Sequence, residues 1–196
     1  MPKGFTEKER LIIREKLLKQ GESMFIIFGL KKANIERLTR AVGISKGAFY
    51  LFFSSKEELY LEILERFQKE FREQLLSLSF ENSEEPQQIL KAFFLDAIRL
   101  MENNPVMKNF RKEDLEYLFH KLPPDTVKAH LLDDNSFIYE FIDQNKQYFN
   151  DLNPIAIAGL FQAIFLINLH KEDFEETTYT PMLDLLLETV SNRLIK

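Results

Sequence analysis

Apolar positions recur along this 196-residue chain at intervals of three, four and seven, the spacing of one face of an α-helix, and no stretch shows the sustained alternation of a strand. Thr6 and Glu9 make a capping box, so a first helix starts there and carries Ile13, Leu17, Met24 and Phe28. Gly29 is placed to end it with a left-handed cap. Gly21 inside it costs on the order of 1 kcal/mol, which points to a bend or a close contact. After a connector over 30–33, Asn34 caps a helix with Leu38 and Val42 on one face. Gly43 then reverses the chain, and Ser45 caps a short helix that turns Phe49 and Phe53 inward. A long helix is predicted over 56–80, with Leu59, Ile63, Phe67, Phe71, Leu75 and Leu78 at helical spacing, and a polar break follows at 81–85.

Pro86 suits the first turn of the next helix, which Asn103, Asn104 and Pro105 end. A short turn over 106–110 precedes a helix over 112–122 that Pro123 and Pro124 stop. Helical spacing returns over 126–148 through Val127, Leu131, Phe137 and Phe141, with the polar patch 133–136 as a candidate interruption. Asn153-Pro154 and Thr180-Pro181 each pair a capping residue with a first-turn proline, so two more helices begin there, separated by an acidic connector. The expected fold is all-α with about nine helices. A three-helix head over 1–55 continues, with no flexible linker, through a long helix into a helical body over 56–196.

Composition narrows the function classes. The absence of cysteine removes disulfides, thiol catalysis and thiolate metal sites together. The amino terminus has no apolar core of signal-peptide type. The longest apolar run, 155–169, is interrupted by Gln162 and Asn168 and is shorter than the roughly 20 residues a bilayer requires, so a cytoplasmic protein without a membrane partner is expected. The net charge of −5 averages two unlike parts: residues 1–56 hold 12 Lys and Arg against 5 Glu, and the remainder 14 against 26 acidic residues. A basic head on an acidic body suggests nucleic-acid binding by the head alone.

The segment 35–56, IERLTRAVGISKGAFYLFFSSK, has the form of a helix-turn-helix. The second helix exposes Lys46, Gly47, Ala48 and Tyr50, a basic residue and two small ones beside an aromatic hydroxyl, able to approach a groove. Over about 6–63 the chain resembles the TetR (TetR/AcrR) family of bacterial transcriptional regulators. The resemblance lies in Ala41-Val42-Gly43-Ile44-Ser45, then Lys46-Gly47-Ala48-Phe49-Tyr50, Phe53, and Ser55-Lys56-Glu57-Glu58-Leu59. It implies that Lys46, Gly47 and Ala48 face base edges and that Tyr50 reaches the backbone or a thymine methyl, while Asn34, Ser45 and Lys56 take phosphates. Lysine has a direct use there, as a donor to guanine N7 and O6. Phe52 either lies near the DNA or simply packs.

One small head buries too little surface to select a site, so a homodimer on palindromic double-stranded DNA is expected. The dimer signal is the run 155–169, apolar on nearly every face, with Ala156, Gly159 and Ala163 as a stripe permitting close approach. Leu183, Leu186 and Val190 mark a second stripe in the last helix; the resemblance implies a four-helix bundle of these two helices across the dimer axis. It also implies a small-molecule effector pocket in the body. With 19 Phe in the chain, candidates for lining a site for a flat or lipid-like apolar molecule are Phe67, Phe94, Ile98, Met101, Phe110, Tyr117, Phe137 and Phe161. Taken one by one, such residues are more often core.

His120, His130 and His170 lack metal-ligand spacing, no cofactor is implied, and the pairs Asp133-Asp134 and Glu175-Glu176 read as solvated faces. No phosphate loop, nucleophile elbow or HExxH motif supports an enzyme. The expectation is a homodimeric repressor released from its operator by a small apolar or aromatic effector. The alternative is a DNA-bound architectural or partner-recruiting protein with a filled core and no effector.

Overall fold

The computed structural model describes residues 5–108 and 110–196, with the backbone but not the side chains of 131–135. Among them are ten α-helices: α1 (Glu7–Lys32), α2 (Ile35–Val42), α3 (Lys46–Phe49), α4 (Lys56–Leu76), α5 (Pro86–Asn103), α6 (Pro105–Lys108), α7 (Lys112–Lys121), α8 (Pro124–Gln144), α9 (Pro154–Leu169) and α10 (Glu176–Leu194). A 3-10 turn, Lys171–Asp173, connects the last two. The described extended pairing is a single antiparallel bridge between Phe149 and Ile195.

The Thr6 capping box forms as expected. The Thr6 side chain accepts from the Glu9 amide while the Glu9 carboxylate accepts from the Thr6 amide. Gly29, with φ 70 and ψ 166, kinks α1 instead of ending it in a left-handed cap: the helix resumes to Lys32, where the Ala33 amide closes on the Gly29 carbonyl at 3.2 Å. Gly21 is a close contact: a Cβ there would stand 2.9 Å from Leu59 Cδ2, so its absence lets α4 lie against α1. Two bidentate pairs lace the same helices, Arg14 to Glu62 and Arg66 to Glu15 at 2.6 and 2.9 Å.

Three boundaries differ from expectation. The long helix ends at Leu76 rather than at 80; the Ser77 amide closes on the Glu73 carbonyl, Asn82 turns the chain with φ 58, and Phe80 folds back against Phe141, Tyr148 and Phe149. The chain regains by burying that ring what it forgoes in one further turn. The backbone of α8 runs unbroken through 133–136, so the polar patch does not interrupt it; the Leu131 side chain and the Asp133-Asp134 pair lie outside the described residues. The last helix starts at Glu176, one turn early, leaving Pro181 inside it. Tyr179 anchors that first turn, its ring against Phe174 and its hydroxyl on Asn168 at 3.0 Å.

The buried apolar residues form two clusters. One joins α1, α2, α3 and the first two turns of α4 through Leu17, Phe25, Leu38, Phe49, Phe53 and Leu59, and also takes in Val106, Phe110, Leu118 and Leu122 from α6, α7 and the turn after it. The other fills the body around Leu75, Phe80, Leu90, Phe94, Phe141, Phe161 and Leu187. Each such side chain, taken fully from water, contributes about 1.5–3 kcal/mol. Because α6 and α7 share the head's core, the head rests on a foundation drawn from the middle of the chain. Tyr117 of α7 adds a hydrogen bond of 3.1 Å to Glu57, a buried carboxylate in the first turn of α4.

Candidate nucleic-acid interface

Local chemistry builds the turn. Gly43, at φ 80, closes α2 with its amide on the Thr39 carbonyl at 2.9 Å, and the Ile44 amide reaches the same oxygen at 3.0 Å. Ser45 then starts α3, its hydroxyl accepting from the Ala48 amide at 3.1 Å. Four residues are too few for a self-supporting helix, so α3 depends on Phe49 as its pin. That ring is fully buried, with Tyr50 at 5.4 Å edge-on and Phe53 at 5.9 Å.

With Phe49 pointing in, Lys46, Gly47 and Tyr50 face solvent and Ala48 is half-buried. A Cβ at Gly47 would meet only Ser45 Oγ, at 3.9 Å, so the chain's own packing does not require glycine there. The Lys46 ammonium lies 3.2 Å from Glu36, an exposed pair worth at most about 1 kcal/mol, and is readily redirected to a stronger partner. Asn34 accepts from the amides of Glu36 and Arg37 at 2.8 and 3.3 Å, which uses its carbonyl oxygen and leaves its NH2 group free to donate.

Lys56 is engaged within its own chain, and Phe52 takes the packing alternative. The Lys56 ammonium donates to the carbonyls of Leu30, Lys31 and Ala33 at 2.8, 2.8 and 3.1 Å, capping the carboxy-terminal turn of α1. Burial pulls its pKa below the ordinary lysine value, against the neighbouring charge of Glu57. Phe52 packs between the Phe5 ring at 5.9 Å and the Arg10 guanidinium at 5.5 Å. Sequence reasoning passed over Leu51, 58% exposed beside Tyr50, and Arg40, exposed at the end of α2. The basic charge of the head pointed toward residues such as Arg40, and nothing in the sequence pointed to Leu51.

The family model described as bacterial regulatory proteins, tetR family, matches residues 17–63, the segment that carries this turn. Residues 17–63 are thus a tetR-family segment. Two curated relatives from Bacillus subtilis (strain 168) are similar to the chain. The uncharacterized HTH-type transcriptional regulator YdgC is 29% identical over 82 residues, 42% of each chain. The uncharacterized HTH-type transcriptional regulator YerO is 26% identical over 161 residues, 73% of this chain. The chain thus spans about half the length of these relatives, 42% and 52%. Among solved structures, a TetR-family transcriptional regulator from Pectobacterium atrosepticum has a TM-score of 0.66 at 19% identity, covering 98% of this chain and 99% of its own. The repressor SmeT of the Stenotrophomonas maltophilia multidrug efflux pump SmeDEF has a TM-score of 0.62 at 19% identity, covering 93% and 90%. Both show the same all-helical fold. Both curated relatives are described as HTH-type transcriptional regulators.

The body distributes the eight pocket candidates among separate places. Phe94, Ile98 and Phe161 are buried together in the body core, with the Phe94 and Phe161 rings 4.8 Å apart. Phe137 packs edge-on to Phe71 and under Arg72. Tyr117 lies at the head junction between Lys31 and Lys121. Phe67 borders an open cleft between α1, α4 and α6, while Met101 and Phe110 border another beside the α9–α10 connector. The eight therefore do not line one cavity.

The candidate dimer stripe on α9 is open, and that on α10 is mostly not. Ala156 and Gly159 are exposed and Ala163 half-buried, while Ile155 and Leu166 are 70% and 45% exposed beside them. Leu183 and Val190 are instead covered by the chain's own core and Leu186 is half-buried; the apolar side chain that α10 leaves bare is Leu185, 66% exposed. A register drawn through 183, 186 and 190 falls on the face that α10 turns to its own chain, chiefly to α5. Among the described residues no helix is long and apolar enough to cross a membrane.

Proposed function

We propose that the protein is a homodimeric, cytoplasmic transcriptional regulator that represses palindromic operators and is released by a small effector. The observation that carries the reading is α3, set on buried Phe49 with Lys46, Gly47 and Tyr50 turned to solvent. Lys46 donates to a guanine edge, Gly47 and Ala48 allow close approach, and Tyr50 meets the backbone or a thymine methyl. Asn34 and Ser45 hold phosphates at helix starts, and Lys56 fixes the end of α1 beside them. Dimerisation is through the open face of α9, by Ala156, Gly159 and Ala163, extended by Leu185 of α10. SmeT, similar in fold, is named a repressor, which supports that direction of control. Division into a head over 1–55 and a body over 56–196 fits this scheme, with α6 and α7 as the body's seat for the head.

A second reading, an architectural or partner-recruiting protein without an effector, is favoured by the body core, where two groups of rings, Phe80 with Phe141 and Phe149, and Phe94 with Phe93 and Phe161, pack tilted or edge-on. Selection of sites from random duplex DNA by the purified protein tests the main reading. A two-fold symmetric sequence with half-sites about one helical turn apart is expected; recovery of asymmetric or unrelated sequences would count against it.

A further inference from the structure

A cleft of about 260 Å3 opens between the end of α5, α6, the start of α7 and the α9–α10 connector. Its walls are apolar: Met101, Met107, Phe110 and Leu169. Its polar wall is Asn168, which is 8% exposed. The Asn168 oxygen accepts from the Tyr179 hydroxyl at 3.0 Å, and its NH2 group is a donor beside the cleft. Around the mouth stand three cations, Lys108, Arg111 and Lys171, against two carboxylates, Glu102 and Glu172.

The charges at the mouth are arranged as two ties. Lys171 binds Glu102 at 2.7 Å, fastening the connector to α5, and Arg111 binds Glu172 at 2.8 Å, fastening it to the start of α7. Both are more than a third exposed, so each is weak and exchangeable. An anion entering between them competes for Arg111 and Lys171, with Lys108 as a third cation and the Asn168 amide as an uncharged donor. A cation meets two carboxylates at the mouth against three cations.

We propose that this cleft binds a small amphipathic anion, an apolar tail of several carbons ending in a carboxylate. The tail lies along Met101, Met107, Phe110 and Leu169, and the carboxylate takes Arg111 and Lys171 from Glu172 and Glu102. Phe110 also belongs to the core that seats the head, and α7 reaches the first turn of α4 through Tyr117 and Glu57. Freeing the connector from α7 therefore loosens the seat of the head. The site deepens the effector reading above and rests on it only for this consequence at DNA; binding itself is independent.

Calorimetric titration with octanoate, octan-1-ol and octylamine tests it, since the three share a tail and differ in the head group. Octanoate is expected to bind at least tenfold tighter than either of the others. The surface variants Lys171→Gln and Arg111→Gln should each weaken octanoate several-fold and leave octan-1-ol unchanged. Equal binding of octylamine, octanoate binding that neither variant weakens, or no octanoate binding in the millimolar range would overturn the site. Operator binding of the unliganded protein is measured alongside. If it is intact and octanoate fails, only the site falls; if octanoate binds as described and no operator is bound, the site stands and the regulator reading falls.

Discussion

Lys56→Met separates two roles that one lysine can serve beside DNA. As a cap, Lys56 supplies one ammonium to three carbonyls at the end of α1. A hydrogen bond from a charged donor is worth about 1.5–3 kcal/mol. The three share one charge and the side chain is half-buried, so water recovers part of what the carbonyls lose; about 2 kcal/mol is expected. For a chain of this size that is a fall in melting temperature of roughly 4–8 °C. As a phosphate contact, the same lysine would instead set salt dependence, each neutralised phosphate adding about 0.9 to the slope of log K against log salt. The assays are thermal melting and operator titration over a salt series. The cap role predicts destabilisation with the slope unchanged. Unchanged melting with a slope reduced by about 0.9 per head would refute it.

Gly43→Ala places a side chain at φ 80 and should cost about 1–2 kcal/mol by chemical denaturation. A Cβ at Gly159 meets nothing in its own chain, so Gly159→Glu should leave the fold intact and yield monomers in sedimentation; a dimer of unchanged affinity would remove α9 from the interface. The hydrogen bond from Arg66 holds the Glu15 carboxyl below its ordinary 4.5. Its contribution is complete above pH about 4.5 and is lost as pH falls through the lowered folded value, so the melting difference between wild type and Glu15→Gln should be small at neutral pH and vanish in acid. Burial, aided by Glu102, pushes the Tyr179 phenol to about 12. Tyr179→Phe should therefore delete a late step from the alkaline absorbance titration, and the stability tied to that phenol, complete below pH about 10, should fade as pH rises toward 12.

What the sequence disclosed was local chemistry. Caps at Thr6, Asn34, Ser45 and Asn153 and the turn at Gly43 depend on residues two to four apart, and all sit as the spacing implied. The inward pair Phe49 and Phe53 followed from the same period. Contacts between distant residues were not legible. The Lys56 ammonium finds carbonyls 23 to 26 residues away, and Glu57 finds Tyr117 at a separation of 60. Helical period also identifies an apolar stripe without saying what covers it, which is why Leu183 and Val190 read as interface and Leu185 did not. The start of α10 was misread because Pro181 suits a first turn, whereas the helix is nucleated one turn earlier around Tyr179.

The central claim is that α3 reads DNA, and operator affinity of Lys46→Ala and Tyr50→Ala tests it most directly. Lys46 is exposed with only a weak partner, so Lys46→Ala should change stability by less than about 0.5 kcal/mol, while Tyr50→Ala, which loses the edge-on contact with Phe49, should cost about 0.5–1.5 kcal/mol. At fixed salt, on an operator selected by the wild-type protein, each substitution should weaken binding by about 1–3 kcal/mol, with Lys46→Ala relaxing the preference at one base position. Affinity and sequence preference unchanged in both variants, with the fold intact, would contradict the assignment of α3 as the reading element.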